Sequence, residues 1–176
     1  MKKSLLLIQF AGFVFISLLG TLLHFLYDLT NESILFAPFS AVNESIFEHI
    51  KLFYFSLLIF SFIESFYLKG KYRNFWCSKA KAFTVGIVLI PAIFYTYTGA
   101  LGVYADWFNI LIFFISAAIS FIVDTKSLKN AKDCIFSESI FKIYILLLGI
   151  LFIIFTFLPI EIPLFLDRQT NTYGIK

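Results

Sequence analysis

The sequence predicts an all-α integral membrane bundle of about five transmembrane helices, on the basis of three observations. The chain has 176 residues, of which 60% are hydrophobic and only 14% are charged, with a mean hydropathy of +0.91, which is too apolar for a soluble domain. Several stretches reach the roughly 20 apolar helical residues that cross a bilayer core. Lysine and arginine are concentrated in alternate connecting segments. We therefore predict a single membrane domain over residues 1–176.

The apolar stretches define the predicted helices in order. The first follows a positively charged start, Met1-Lys2-Lys3, but it is longer than the apolar region of a signal peptide and no small-x-small cleavage pattern follows it. We therefore expect it to be retained as a helix. Pro91 falls inside the third stretch and predicts a kink there. The predicted spans cover about residues 4–27, 45–68, 82–105, 107–123 and 141–160, with a tail over residues 161–176.

The positive charges predict the orientation. Five spans put the two termini on opposite sides of the membrane. Most lysines and arginines then fall on the side of the N-terminus, and loops left in the cytoplasm collect positive charge. We predict that the N-terminus is inside, that the C-terminus and the tail are extracytoplasmic, and that the membrane is a bacterial cell membrane.

The net charge of +3 follows from this bias and favours contact with anionic membrane lipids. Because no basic and aromatic nucleic-acid pattern is present, we expect membrane lipids and no nucleic acid among the partners. Cys77 and Cys134 lie in predicted cytoplasmic loops, which favours free thiols over a disulfide.

Both histidines of the chain lie on the predicted extracytoplasmic side, among acidic residues. His24 and Asp28 are four residues apart at the outer end of the first span, so they share a helix face. Glu44 and Glu48 are also four apart, at the start of the second span, and His49 follows. Two antiparallel helices would bring these five side chains to one depth in the membrane.

Imidazole and carboxylate groups are the ligand types of zinc, manganese and iron sites. We predict that His24, Asp28, Glu44 and His49 are ligands of a divalent metal such as zinc, and that Glu48 is a catalytic base beside it. Neither His-Glu-x-x-His nor Glu-x-x-His is present. The structural alternative is that the glutamates stabilise a helix N-terminus and pair with a lysine, while the histidines form interfacial hydrogen bonds. Supporting residues at a matching depth are Asn43, Lys51 and Asp106.

Glu64 is the one acidic residue in the apolar run from Leu52 to Leu68 of the second predicted span. A carboxyl group at that depth suits a proton relay, and the alternative is a simple ion pair with Lys69.

The chain resembles a family of small bacterial multi-pass membrane proteins known as a domain of unknown function. The resemblance covers most of the chain and implies a membrane location and a five-span helical fold. It implies no activity, substrate or catalytic residue. It rests on His24-x-x-x-Asp28, on residues 39–51 with the motif Asn-Glu-Ser-x-x-Glu-His-x-Lys at 43–51, and on residues 163–165 and 172–175.

Three functions remain open from the sequence. A metal-dependent hydrolase of a lipid-linked or envelope substrate would use metal-activated water, since no serine or cysteine nucleophile with a partner base is visible. A small transporter or substrate-binding component would capture a cation in the acidic cluster and would place Glu64 on a polar path from it. An accessory subunit would use the cluster only for ion pairing.

Overall fold

The structure is a computed structural model that describes residues 2–130 and 134–175, apart from the side chains of Lys2, Lys3 and Asp106. Five of its helices are long and apolar enough to cross a membrane, so the predicted all-α membrane bundle is confirmed. Two short strands pair antiparallel in the tail. The elements are α1 (Lys2–Leu29), α2 (Ile46–Leu68), α3 (Phe75–Leu101), α4 (Asp106–Lys129), α5 (Glu138–Phe157), β1 (Leu166–Asp167) and β2 (Thr172–Tyr173).

Helix α2 lies at the centre of the bundle. Its most apolar stretch is 78% buried, whereas the corresponding stretches of the other four helices are 22–44% buried and expose many large apolar side chains. Those exposed side chains suit contact with lipid. The buried residues of α2 include the charged side chains Glu48, Lys51 and Glu64, and these need partners inside the protein. The charged residues of α2 are therefore expected to have partners on neighbouring parts of the chain.

Gly86 lets α3 approach α2 closely. A Cβ atom added at this glycine would lie 2.1 Å from Cζ of the Phe53 ring. Phe53 is fully buried, so its ring has no open space into which to move.

We expect Gly86→Ala to destabilise the protein by about 1–3 kcal/mol, because the added methyl group overpacks this contact. Thermal unfolding in detergent measures the effect. Gly99→Ala is the matched control, because Gly99 lies in the same helix with nothing within 4 Å of its added Cβ. The control should be neutral or stabilising by up to about 1 kcal/mol through helix propensity. Equal stability of the two variants would refute the close approach.

Helix α3 begins at Phe75 and not at the predicted residue 82. A carboxylate from α5 accepts hydrogen bonds from the first backbone amides of α3. The N–H groups of Trp76 and Cys77 donate to Glu138 at 2.9 Å and 3.3 Å. A carboxylate at a helix N-terminus also complements the helix dipole. The lysine-containing segment that the sequence assigned to a loop is therefore helical.

The prediction of free thiols is wrong, because Cys77 and Cys134 form a disulfide. The chain after α4 returns to the start of α3 and brings the two Cα atoms to 6.1 Å, within the usual range for a disulfide. The sequence argument considered only the compartment and not this distance. Disulfides persist in oxidising compartments, whereas lysine-rich loops favour the cytoplasm, so the two rules conflict at this end of the bundle. The orientation of the termini stays a prediction.

The tail packs across the opposite end of the bundle as an ordered hairpin. The backbone N–H of Phe47, at the start of α2, donates to the carbonyl oxygen of Leu164 at 3.0 Å. The Arg168 guanidinium lies 5.2 Å from the centre of the Phe94 ring on α3, a cation–π distance. The tail thus covers the end of the bundle that carries the two histidines.

Candidate metal centre

His24 of α1 and His49 of α2 meet at the carboxylate of Glu44. Oε2 of Glu44 lies 3.5 Å from Nε2 of His24 and 3.9 Å from Nε2 of His49. One potential ligand atom from each of the three residues lies within 4.8 Å of the other two. The two imidazole rings are 5.5 Å apart between centroids. The structure thus brings three of the four predicted ligands into one group.

Glu44 reaches the histidines because it lies just outside α2. The helix begins at Ile46, and the Ser45 hydroxyl caps it by accepting a hydrogen bond from the Glu48 N–H at 3.4 Å. Glu44 and Glu48 therefore do not share the helix face that their spacing predicted. Because the backbone at Ser45 is extended, the side chains of Glu44 and Glu48 point in different directions. Of the two, Glu44 lies beside the histidines.

The backbone of Ser45 also fixes the state of the His49 ring. Nδ1 of His49 lies 2.9 Å from the carbonyl oxygen of Ser45. A carbonyl oxygen can only accept, so Nδ1 carries the proton when the ring is neutral, and Nε2 then carries the lone pair. Metal-binding histidines are commonly held in this way, with one ring nitrogen donating to a backbone carbonyl and the other facing the metal.

The electrostatics favour an ionised carboxylate at the centre of the group. The His24 imidazole beside it holds the pKa of the Glu44 carboxyl below its ordinary value, although partial burial acts in the opposite direction. Glu44 is therefore a carboxylate at neutral pH. The group combines two imidazoles with one negative charge, which is the charge balance that attracts a divalent cation.

The separations within the group suit a metal ion. Zinc lies about 2.0–2.1 Å from its nitrogen and oxygen ligands, so neighbouring ligand atoms of a tetrahedral site lie about 3.3 Å apart. The 3.5 Å and 3.9 Å separations are slightly longer than that and exceed the usual length of a direct hydrogen bond. Small side-chain rotations would complete a three-ligand site that keeps a fourth position for water.

An apolar cavity of about 90 Å³ adjoins the two imidazoles. It lies between α1, α2 and α4, within helices long and apolar enough to cross a membrane, so it can take hydrocarbon but offers little to a polar molecule. Apart from the histidines its lining is almost entirely apolar: Gly20, Thr21, Phe25, Leu52, Ile110, Phe113 and Phe114.

Glu48, the predicted base, lies in a separate buried ion pair with Lys51. The Lys51 ammonium contacts Oε2 of Glu48 at 2.6 Å, the carbonyl oxygen of Ala37 at 2.9 Å and the hydroxyl of Thr156 at 3.0 Å. These three partners match its three protons. Glu48 also accepts a hydrogen bond from the Val42 N–H at 3.1 Å. Lys51 thus ties the loop before α2 to α5, and its supporting role at the metal group stays a prediction.

The remaining predicted residues lie around the group. Asp28 is exposed at the end of α1 and is not part of the three-residue group. The Asn43 amide donates to the carbonyl oxygen of Gly174 at 2.9 Å, and its Oδ1 accepts from the Ser45 N–H at 2.9 Å. Asn43 therefore links the tail to the loop that carries Glu44. The side chain of Asp106 lies outside the described part of the structure.

Sequence reasoning missed Ser45 and the contribution of α4 to the cavity. The pattern Ser45-x-x-Glu48 matches a capping box, which would have placed the helix start at Ser45 and Glu44 outside the helix. As one alternative, the sequence also paired Glu64 with Lys69. Glu64 pairs with Lys79 of α3 and not with Lys69, which is exposed.

The comparisons with known proteins identify a family. The model of DUF6512, described as a family of unknown function, matches residues 3–175, nearly the whole chain. The predicted resemblance to a family of unknown function is thereby confirmed. No curated protein and no solved structure gave a significant match.

Proposed function

We propose that this chain, which belongs to DUF6512, a family of unknown function, is a metal-dependent hydrolase embedded in the membrane. One observation carries the proposal: the ligand atoms of His24, Glu44 and His49 converge within 4.8 Å beside an apolar cavity. Two histidines and one carboxylate are a ligand set of catalytic zinc sites, which keep a position for water. The bias of lysine toward the opposite side supports a site on the extracytoplasmic face of a bacterial cell membrane, whereas the Cys77–Cys134 disulfide at that lysine-rich end argues against it.

The chemistry follows from the open coordination position. A bound divalent cation lowers the pKa of its water toward neutrality and so supplies a hydroxide nucleophile. His49, held by the Ser45 carbonyl, would keep its ring oriented toward that cation. Glu44 would supply the negative charge that keeps the cation in place.

The cavity indicates the class of substrate. Its walls are apolar and lie among membrane-spanning helices, so the part of the substrate that fills it is a hydrocarbon chain. The metal group lies at the end of α1 and the start of α2, where a polar head group would reach it. We therefore propose a lipid-linked ester or phosphoester whose head is hydrolysed while its chain stays in the membrane.

The transporter alternative is less well supported. It requires a polar path from the histidines to Glu64. Buried serines lie between the two ends on α2 and α4, but aromatic rings pack across the same part of the core. Phe53 packs against Phe113 with centroids 6.3 Å apart, and Phe60 packs against Phe121 at 5.8 Å. These aromatic contacts favour a pocket that is closed toward the other end of the bundle.

The test is the metal content of the purified full-length protein. After exposure to zinc and removal of the excess, we expect about one metal ion per chain by elemental mass spectrometry. His24→Ala, His49→Ala and Glu44→Gln should each bind at least 10–100-fold more weakly, because even the loss of an outer hydrogen-bond partner has that effect at metal sites.

Glu32→Gln is the matched control, because Glu32 is an exposed carboxylate just beyond α1 that is not part of the group. It should keep the metal. Helix content by circular dichroism shows whether each variant is folded. A wild type that binds no metal, or folded ligand variants that retain it, would refute the metal site and leave the accessory role as the better account.

A further inference from the structure

A second polar cluster joins four helices at the end of the bundle opposite the histidines. Its members are Gln9 of α1, Glu64 of α2, Lys79 of α3 and Asp124 of α4. Each of the four is at most 4% exposed. All lie within helices capable of spanning a membrane, so the cluster is a set of ionisable groups removed from water.

The charges of this cluster do not balance if every group is ionised. The Lys79 ammonium binds both the Glu64 and the Asp124 carboxylates. Within residues 4–105, 107–130 and 134–175, Lys79 is the only cation that forms an ion pair with either of them. Two carboxylates and one ammonium leave an excess negative charge, and a buried uncompensated charge is strongly unfavourable. One bound proton makes the cluster neutral.

The hydrogen bonds indicate which carboxyl group holds that proton. Asp124 receives donors on both oxygens, with the Ser78 hydroxyl 2.8 Å from Oδ1 and both Lys79 and the Gln9 amide at Oδ2. Among the described residues, Glu64 accepts from Lys79 at Oε2 and from the Gln9 amide at Oε1, and from no third donor. A carboxylate with more donors is the better stabilised anion. Glu64 is therefore the group that carries the proton.

Gln9 supplies an acceptor for the proton on Glu64. Its Oε1 atom is buried and has no hydrogen-bond partner among the described residues, which is costly for a buried carbonyl oxygen. Its Nε2 atom lies 2.7 Å from Oε1 of Glu64. The nitrogen and oxygen of an amide exchange places by a half-turn of the group. After that turn, a protonated Glu64 donates to the Gln9 oxygen. Asp124 gives up its Gln9 donor but keeps the Ser78 hydroxyl and the Lys79 ammonium, so it still has more donors than Glu64.

We propose that the Gln9–Glu64–Lys79–Asp124 cluster is a proton-binding site, in which Glu64 holds one exchangeable proton between the ammonium of Lys79 and the amide of Gln9. On release, the O–H bond of the Glu64 carboxyl breaks, the electron pair stays on the carboxylate, and water at the nearer membrane surface takes the proton. The site lies close to that surface, since Lys79 is one turn from the start of α3 and Asp124 is near the end of α4. It is separate from the histidine group and does not depend on a metal.

Infrared spectroscopy of the full-length protein at neutral pH tests this proposal. A protonated carboxyl group gives a C=O stretching band that a carboxylate lacks. We expect such a band in the wild type, a shift in deuterium oxide, and a further shift when glutamate carboxyl carbons, but not aspartate ones, are labelled with ¹³C. The labelling experiment needs no substitution, so it remains valid if a variant does not fold.

Two variants sharpen the assignment. Glu64→Gln should lose the band because it removes the carrier, and Asp124→Asn should lose it because one carboxylate and one ammonium already balance. Glu161→Gln, an exposed carboxylate in the tail, should keep it. The proposal is overturned if the wild type shows no carboxylic acid band, if the aspartate label shifts it, or if folded Glu64→Gln retains the whole of it.

Discussion

Lys79→Met is expected to destabilise the protein by at least about 3–5 kcal/mol, the range for removing one partner of a buried ion pair. The Lys79 side chain is fully buried and binds two carboxylates from different helices. Methionine fills a similar volume but leaves those carboxylates without a cation. The substitution leaves the Asp124 carboxylate without a cation and also removes a hydrogen-bond donor from the Glu64 carboxyl group. A fall in melting temperature in detergent, or failure to recover folded protein, measures it.

Lys126→Met is the control for Lys79→Met. Lys126 lies in the last turn of α4, near the same end of the bundle, but its side chain is exposed. Surface substitutions of this kind usually change stability by less than about 0.5 kcal/mol. If Lys79→Met melted at the same temperature as Lys126→Met, the described burial of the cluster would be wrong.

Lys51→Met is the second substitution with a large expected effect, again about 3–5 kcal/mol. It leaves the buried Glu48 carboxylate with the Val42 N–H as its remaining hydrogen-bond donor. It also removes the hydrogen bonds to Ala37 and Thr156, so the loop before α2 loses its attachment to α5. Because Glu44 lies on that loop, metal binding should weaken together with stability.

A double substitution separates lost packing from an unpaired charge. Lys51→Met combined with Glu48→Gln removes both charges, so it should be more stable than Lys51→Met alone. Lys69→Met is the control, because Lys69 is exposed just after α2. It should change the stability little. A double variant no more stable than the single one would show that the Glu48 charge is not the cause.

The five-helix fold was predictable because it depends on the length and hydropathy of long segments. Apolar stretches of this kind have few alternatives to a membrane helix, so the number of spans followed directly. The start of α3 was not predictable in the same way. Its first residues include Lys79, and a lysine suggests a loop until its two carboxylate partners on α2 and α4 are known.

The candidate site was predictable in part for a similar reason. His24 and His49 could be placed at one depth because two consecutive spans run antiparallel, so the end of α1 and the start of α2 lie on the same side of the bundle. The separate directions of Glu44 and Glu48 depend on whether the helix starts before or after Glu44, which is a difference of one or two residues. Helix boundaries are the least reliable part of a sequence-based prediction. The disulfide was missed because it depends on a tertiary contact between the start of α3 and the chain after α4.

X-ray absorption at the zinc edge of the zinc-loaded protein shows whether His24, Glu44 and His49 hold a metal ion. We expect nitrogen and oxygen ligands at about 2.0–2.1 Å, with the scattering pattern of two imidazole rings in the wild type and of one ring in His49→Ala. A spectrum without imidazole scattering, or one with sulfur ligands at about 2.3 Å, would contradict this expectation.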